Sequence, residues 1–405
     1  MRISEFSRYA LGVCAAAMFA GCGGGSGTPL SPSPAGVTAE RTHVRPAYSV
    51  LYRFKGPPDD GAYPYAGLIN INGTLYGTTY RGGADSSYGT VFAITTSGAE
   101  SVLYSFDGTS GVLPAAGLIN VEGTLYGTAY AGGANGQGTV FSITPSGTEN
   151  VLYSFKGAGD GASPVAGLLN VKGTLYGTTF AGGAGRCHGG SYGCGTVFSI
   201  TTSGTEIVLH SFKGKSDGEE PEAALINVKG TLYGTTYNGG KYCSGSYGCG
   251  TAFSITTSGK ETVLHSFGGT GDGDYPSAGL LNVNGTLYGT TAGGGTSSAG
   301  SVFAITPSGT ETVLYSFSGS GDGVGPKAGL INVNGRLYGT TRDGGAHSYG
   351  TVFSITTSGT ETVLHSFGGA DGKYPQAGLI NVKGTLYGTT AGGAKKKGTV
   401  FSLSP

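Results

Sequence analysis

Four short apolar runs separated by glycine-rich breaks make one unit of this chain, and the unit repeats. In residues 115–155 the runs are AGLINV, GTLYGTAY, GTVFSIT and NVLYSF. Each has strand length and is rich in Val, Ile, Leu, Phe, Tyr and Thr. None shows apolar positions at i, i+3, i+4 and i+7, so no helix is expected beyond the N-terminal segment. We name the runs a, b, c and d. A tight turn joins a to b, with Asn-Gly at 72–73, 284–285 and 334–335 and Glu-Gly or Lys-Gly elsewhere. Asn-Gly marks a two-residue hairpin because both central residues need positive φ. A Ser-Gly turn, as in TPSGTE, joins c to d.

The core of run b, Leu-Tyr-Gly-Thr, begins at Leu75, Leu125, Leu175, Leu232, Leu287, Leu337 and Leu386, at gaps of 50, 50, 57, 55, 50 and 49 residues. Four strands per roughly 50 residues is the arithmetic of a β-propeller blade, and seven copies make a ring. The runs are apolar on both faces, as blades packed between neighbours require. An open solenoid would need capping units, and neither end resembles one. The frame is also telling: the repeats start with a lone d run, SVLYRF at 49–54, and end with a c run, GTVFSL at 398–403. Laying the first beside the last leaves no unpaired edge. The expected fold is all-β: a seven-bladed β-propeller of four-stranded antiparallel blades, closed by pairing of the N-terminal and C-terminal strands. The 82 glycines fall at fixed places in each repeat, which indicates turn chemistry rather than a low-complexity chain.

The unit AGLINVNGTLYGTT…GG…GTVFSITTSGTETVLYSF resembles the GloVer (Gloeobacter/Verrucomicrobia) tandem repeat of bacterial surface proteins, over about residues 49–403. That resemblance implies an exported, tethered, propeller-like protein and supplies no reaction or catalytic residue. The glycine doublet after run b is also similar to that of kelch repeats, but the chain has no tryptophan and nothing is carried over from them.

Residues 1–22 are a different text. Arg2 and Arg8 precede an apolar run from Ala10 to Ala20, shorter than the ~20 residues a membrane span needs. This has the form of a secretory signal. It ends in Phe19-Ala20-Gly21-Cys22, which resembles a bacterial lipobox, so Cys22 is expected to be acylated and to become the mature N-terminus. Residues 23–47, opening GGGSGTPLSPSPAG, read as a flexible tether, and 48–405 as the propeller. The expected location is the outer membrane or cell surface, with plain secretion as the alternative.

Lys plus Arg total 23 and Asp plus Glu total 23, and only 11% of residues are charged. Nucleic acid and anionic membrane surfaces are therefore poor partners. Gly214-Lys215-Ser216 lacks the first glycine of a phosphate loop, Leu209 standing in its place. His210, His265 and His365 occupy a slot in run d where other copies have Tyr52, Tyr104, Tyr153 and Tyr315, which reads as a half-buried aromatic position and not a metal site. Asp60, Asp160, Asp217, Asp272, Asp322 and Asp371 recur in the d-to-a loop. Most of these loops offer one carboxylate, far short of a calcium shell, so an aspartate bonding its own turn is expected. No cofactor or metal is expected, and the chain is expected to be monomeric. In an oxidising compartment Cys187 pairs with Cys194 and Cys243 with Cys249, whereas the spacing does not suit zinc. Glu219, Glu220 and Glu222 in blade four could serve glycoside hydrolysis or lyase chemistry, but they read more simply as a solvated acidic loop, and no catalytic residue is assigned.

Strand order places the a–b and c–d turns on one face of the ring and the b–c and d–a loops on the other. The first face is monotonous. The second carries the length changes, the cysteine pairs and the candidate ligand-binding residues Tyr63, Arg81, Tyr88, Arg186, Tyr192, Lys241, Tyr247, Arg342, Asp343, His347 and Tyr349. Loops on a rigid scaffold are where binding resides, and tyrosine suits stacking on sugars or anchoring in protein interfaces. The expectation is a surface-anchored, non-catalytic binding module for glycan or protein, with a glycan-active hydrolase or lyase as the alternative. Two tests follow. Replacing Cys22 by Ala should release the protein from the membrane fraction, and unchanged fractionation would reject the anchor. Reduction should raise the intact mass of the exported form by the hydrogens of two disulfides, and free thiols before reduction would reject the pairing.

Overall fold

The computed structural model describes residues 46–405 except 86, 188–192, 215–216, 243–247 and 394–395. The N-terminal segment with Cys22 and nearly all of the tether, and Tyr192, Cys243 and Tyr247 of the loops, thus lie outside the described residues.

Seven four-stranded antiparallel sheets follow one another around a ring, each a meander in the order a-b-c-d. In blade 1 these are Ile69–Ile71, Thr74–Thr79, Thr90–Thr95 and Glu100–Ser105. Blade 7 is composite: Ile380–Val382, Thr385–Thr390 and Thr399–Ser404 supply a, b and c, and Ala47–Arg53 from the other end of the chain supplies d. The closing strand runs from Ala47 opposite Ser404 to Arg53 opposite Thr399. It shows the one-residue bulge, here at Val50/Tyr52, that also breaks the c–d pairing of blade 1 at Val91/Phe92. The expected closure is present, and no helix occurs among the described residues.

Run a is shorter in the structure than AGLINV suggests: in blade 2 only Ile119–Val121 joins the ladder. The residues before it point their polar groups at the neighbouring blade, as shown below. Strand a lies innermost, beside the a strands of both adjacent blades. The a–b turns have positive φ at both central residues even where Asn is missing, with Glu122 at 51° and Lys172 at 53° beside Asn72 at 52°. A preceding asparagine explains the tolerance. The Asn70 side chain accepts from the Gly73 N–H at 3.0 Å, and Asn120 and Asn170 do the same at the Glu and Lys turns.

Three contacts, each repeated around the ring, join blade to blade. The first is apolar. Phe54 after strand d of blade 7 meets Phe92 on strand c of blade 1 edge to face at 5.1 Å, and Phe106–Phe141, Phe155–Phe198, Phe212–Phe253, Phe267–Phe303, Phe317–Phe353 and Phe367–Phe401 complete the circle. These rings are essentially inaccessible to water. Burying one is worth ~1.5–3 kcal/mol, and the edge-to-face pair adds ~0.5–1.5 kcal/mol. The glycine of Leu-Tyr-Gly-Thr makes room for them: a Cβ at Gly77 would lie 2.7 Å from Phe92 Cζ and 2.9 Å from Leu68 Cδ2.

The second contact uses the threonines of Gly-Thr-Thr. Thr78 Oγ1 donates to the Ala116 carbonyl of the next blade at 3.0 Å, and the series ends with Thr389 donating to Ala66 of blade 1 at 3.2 Å. The second threonine stays within its blade, Thr79 Oγ1 bonding Thr90 Oγ1 at 2.7 Å. A net gain of ~1 kcal/mol per such bond is below the apolar term, so the phenylalanines supply adhesion and the threonines fix register.

The third contact is a carboxylate cluster. The first residue of strand d, Glu100 in blade 1, lies against Tyr52 and Asp60 from the preceding blade. Glu149, Glu206, Glu261, Glu311 and Glu361 are its equivalents, and one carboxylate oxygen of each of the six is buried without a partner. Burial first, and for most of them a neighbouring aspartate second, pushes each carboxyl up to about 7 from an ordinary 4.5. At the closing seam Tyr48 takes this place, stacked on His365 at 3.8 Å and donating to the Asp371 carbonyl.

A carboxyl raised on folding favours the folded state below its unfolded pKa, and that stability is lost as pH rises through the folded value. His365, held low by burial, works in the opposite sense, but it is one group against six. Thermal unfolding should therefore give a higher Tm near pH 5 than near pH 8. Replacing all six glutamates with Gln should flatten the difference, and a Tm that rises from pH 5 to pH 8 would contradict the assignment.

Candidate functional site

On the face bearing the b–c and d–a loops, described residues of the two loops pair with each other in every blade. Gly61–Ala62 pairs with Arg81–Gly82, Gly161–Ala162 with Ala181–Gly182 and Gly273–Asp274 with Gly293–Gly294. Single bridges at Val112–Ala131, Glu219–Asn238, Val324–Asp343 and Lys373–Gly392 serve the other four. The residue before each loop proline then turns into the left-handed region: Tyr63, Leu113, Ser163, Glu220, Tyr275 and Tyr374 have φ between 55° and 59°, and Gly325 has 63°. That geometry is costly for a non-glycine residue before proline. It is over-determined here: the Tyr63 N–H donates to the Lys397 carbonyl of the preceding blade at 2.7 Å, and its carbonyl accepts from the Tyr80 N–H at 3.0 Å.

Two residues further on, just past the proline, one side chain from each blade lines a cavity of about 150 Å³ at the axis: Tyr65, Ala115, Val165, Glu222, Ser277, Lys327 and Gln376. Seven near-identical repeats thus present seven different residues at one ring position. Blades 1–3 contribute an apolar arc, and blades 4–7 a polar arc with one acid and one base. Burial pushes the Glu222 carboxyl up to about 7, with Lys327 pulling it down and Glu220 pushing it further up.

Aromatic and cationic groups gather beside this mouth. Tyr65 lies 6.4 Å from Tyr63 and 5.1 Å from Tyr80 between ring centroids, and Arg81 sits over Tyr80 at 5.8 Å. On blades 6 and 7, Arg342 lies over Tyr374 at 5.3 Å and pairs with Asp343 at 2.6 Å, while Tyr349 meets Tyr374 edge to face at 6.0 Å. Of the sequence candidates, Tyr63 and Arg81 share the first group, and Arg342, Asp343 and Tyr349 the second. His347 is exposed in the same loop as Tyr349. Tyr88, Arg186 and Lys241 stand apart on blades 1, 3 and 4, Lys241 over Tyr242 at 5.4 Å. Sequence reasoning singled out Glu222 but missed Tyr80 and the other axial residues, Tyr65, Ala115, Val165, Ser277, Lys327 and Gln376. The signal of the axial residues was present as the varied residue in Pro-X-Ala, a position that differs in all seven repeats.

The acidic loop of blade 4 is not solvated, contrary to expectation. Asp217, Glu219 and Glu220 are 9%, 4% and 9% exposed. Glu219 is held by its backbone pairing with Asn238, Glu220 accepts from the Asn238 side-chain amide, and Glu222 faces the axial cavity. The Asp-Gly aspartates do bond their own turns: Asp60 accepts from the N–H groups of Lys55 and Gly61 at 2.7 and 2.6 Å. They also receive the strand-d aromatic, Tyr52 O–H at 2.8 Å in one blade and His265 Nε2 at 2.8 Å in another. Two clusters, His210–Asp217–Glu261 and His265–Asp272–Glu311, bring three ligand-type atoms within 4.8 Å. Each stands where Tyr52–Asp60–Glu100 stands elsewhere, so the imidazole replaces a hydroxyl donor. Cys187 and Cys194 are joined, with Cα atoms 5.3 Å apart, and Cys249 is disulfide-bonded, its expected partner Cys243 being outside the described residues.

A second and larger cavity, about 640 Å³, opens between the loops of blades 2 and 3. Among the described residues its polar and aromatic lining is Tyr130, Gln137, Lys156, Ser163, Phe180 and Arg186, and the rest is glycine and alanine.

No curated protein matches the chain. Among solved structures it is similar to a Bacteroides uniformis protein proposed as a 6-phosphogluconolactonase, at 13% identity over 75% of this chain and 85% of that one, with a TM-score of 0.49. It is also similar to a gluconolactonase from Xanthomonas campestris (15% identity, 69% and 82% coverage, TM-score 0.40) and to a Bacteroides thetaiotaomicron protein of unknown function (12%, 88% and 96%, 0.46). Likenesses this distant carry no argument about activity. The family model of the Gloeobacter/Verrucomicrobia repeat matches residues 31–188 and 185–401. Its two matches take in the seven blades found in the structure, and the protein belongs to the Gloeobacter/Verrucomicrobia repeat family.

Proposed function

We propose that the protein is a non-catalytic carbohydrate-binding module of the bacterial surface, held by acylation of Cys22 and binding through the axial mouth of its loop face. One observation carries this reading: the ring position lining the mouth holds seven different residues in seven otherwise near-identical blades. Packing does not require that variety, since the neighbouring positions serve the same blade contacts with almost no change. The tyrosine group at its rim offers flat apolar faces with hydroxyls, the combination that suits a sugar ring. The loop pairing and the left-handed pre-proline residues hold these side chains in place before any ligand arrives, which lowers the ordering cost of binding. A glycan is preferred over a protein partner because the mouth is small, with a cavity of about 150 Å³, whereas a stable protein interface needs on the order of 800 Å² per partner.

A second reading rests on Glu222. A carboxyl held near 7 beside another carboxylate is suited to general acid–base work at neutral pH. Under that reading the same mouth hydrolyses or cleaves the glycan it binds.

The purified protein on a glycan array should bind a discrete set of saccharides. Replacing Tyr65 and Tyr80 by Ala should weaken binding about tenfold, roughly 1.4 kcal/mol, with Tm little changed. Unchanged affinity would reject the mouth as the site. Chain cleavage of a bound glycan that is abolished by Glu222→Gln would replace the binding module with the enzyme.

A further inference from the structure

We propose that the cleft between blades 2 and 3 is a second, independent binding site, for an acidic saccharide whose carboxylate or sulfate is held by Lys156 and Arg186. At about 640 Å³ the cleft is several times larger than the axial cavity and lies within the ~300–1,000 Å³ common for small-molecule sites. Among the described residues its lining has two aromatic rings, two cations and no carboxylate. In a chain with 23 basic and 23 acidic side chains that is a local imbalance. Both cations are exposed, and among the described residues neither is within ion-pair distance of an acid. Lys156 instead lies over the Tyr153 ring at 5.6 Å.

Neither nearby acid, Asp160 or Glu206, is among the residues that line the cleft. Asp160 is 7% exposed, and its oxygens already accept from the Tyr153 hydroxyl and from the N–H groups of Lys156 and Gly161. Glu206 is half-buried between blades, and burial pushes its carboxyl up to about 7. Glu206 feels the Lys156 charge without forming an ion pair with it, so among the described residues the lining itself presents two cations to a ligand. Phe180 and Tyr130 supply faces for a sugar ring, while Gln137 and Ser163 supply hydroxyl partners. Guanidinium and ammonium groups recognise an anionic substituent through charge-assisted hydrogen bonds. The wall carrying Arg186 is specific to blade 3, whose b–c loop is lengthened and tied by Cys187–Cys194. Its counterpart in blade 4 has Lys241 and Tyr242 in a different arrangement.

Calorimetric titration of the full protein with an oligogalacturonate, a sulfated galactan oligomer and the neutral galactan oligomer tests the site. An acidic oligomer should bind, more weakly as salt rises from about 20 to about 300 mM, and the neutral oligomer should not bind in the cleft. Lys156→Gln with Arg186→Gln should lower the acidic oligomer's affinity at least about tenfold and leave array binding at the axial mouth unchanged. Both side chains are exposed, so folding is not at risk, and Tyr65→Ala with Tyr80→Ala should do the reverse. Which acidic oligomer binds tells carboxylate from sulfate. Equal binding of acidic and neutral oligomers, no effect of the double variant, or inorganic sulfate binding as tightly as the saccharide would each overturn the proposal.

Discussion

Everything in this molecule depends on closing the ring. A four-stranded blade apolar on both faces cannot stand alone in water, and it becomes stable only when both faces are covered by neighbours. Seven blades satisfy this without caps provided that the last meets the first. The chain achieves that by splitting one blade between its two ends, so that the backbone of Ala47–Arg53 hydrogen-bonds to that of Thr399–Ser404. Phe54–Phe92, Phe367–Phe401 and the Thr389–Ala66 hydrogen bond then make the seam chemically like every other blade junction. The near-identity of the repeats follows from this constraint, since each blade must present the same donor face and the same acceptor face.

Closure also decides where the repeats are free to differ. Positions committed to a neighbour tolerate little: Gly77 has no room for a Cβ, and Thr78 has a fixed acceptor. The axial ring position and the loop tips have no such partner, and they are where Tyr65, Glu222, Lys327 and the cations of the 2–3 cleft appear. The axial positions are tied to the blades by the paired loops and by the hydrogen bonds of the left-handed pre-proline residues. A diverse chemistry is thus presented on a repeated scaffold.

How much of this could be read in the sequence follows from what is local. The strand runs, the Asn-Gly turns and the d-first, c-last frame are properties of neighbouring residues, and the fold follows from them. The pairing of Cys187 with Cys194 is local as well. By contrast, the threonines of Gly-Thr-Thr read only as strand formers, because their acceptors lie in the next blade, as with Thr78 and Ala116. The glutamates that open strand d carry no local signal of burial, since Tyr52 and Asp60 reach Glu100 only across a junction. Likewise Glu219 and Glu220 looked solvated, and burial came from a loop pairing with Asn238 that has no sequence signature. Tyr65 and its counterparts formed a visible column of varied residues, but the column becomes a site only when a ring brings it to one axis.

Amide hydrogen exchange with and without a saturating glycan selected on the array tests the central claim most directly, because it reports every blade and both faces at once. Slowed exchange confined to the mouth segments around Tyr63–Tyr65, Tyr80–Arg81, Arg342–Asp343 and Lys373–Tyr374 is the result expected, with the a–b and c–d turns unaffected. Protection of the turns around Asn72–Gly73 and Ser97–Gly98, with none at the mouth, would contradict it.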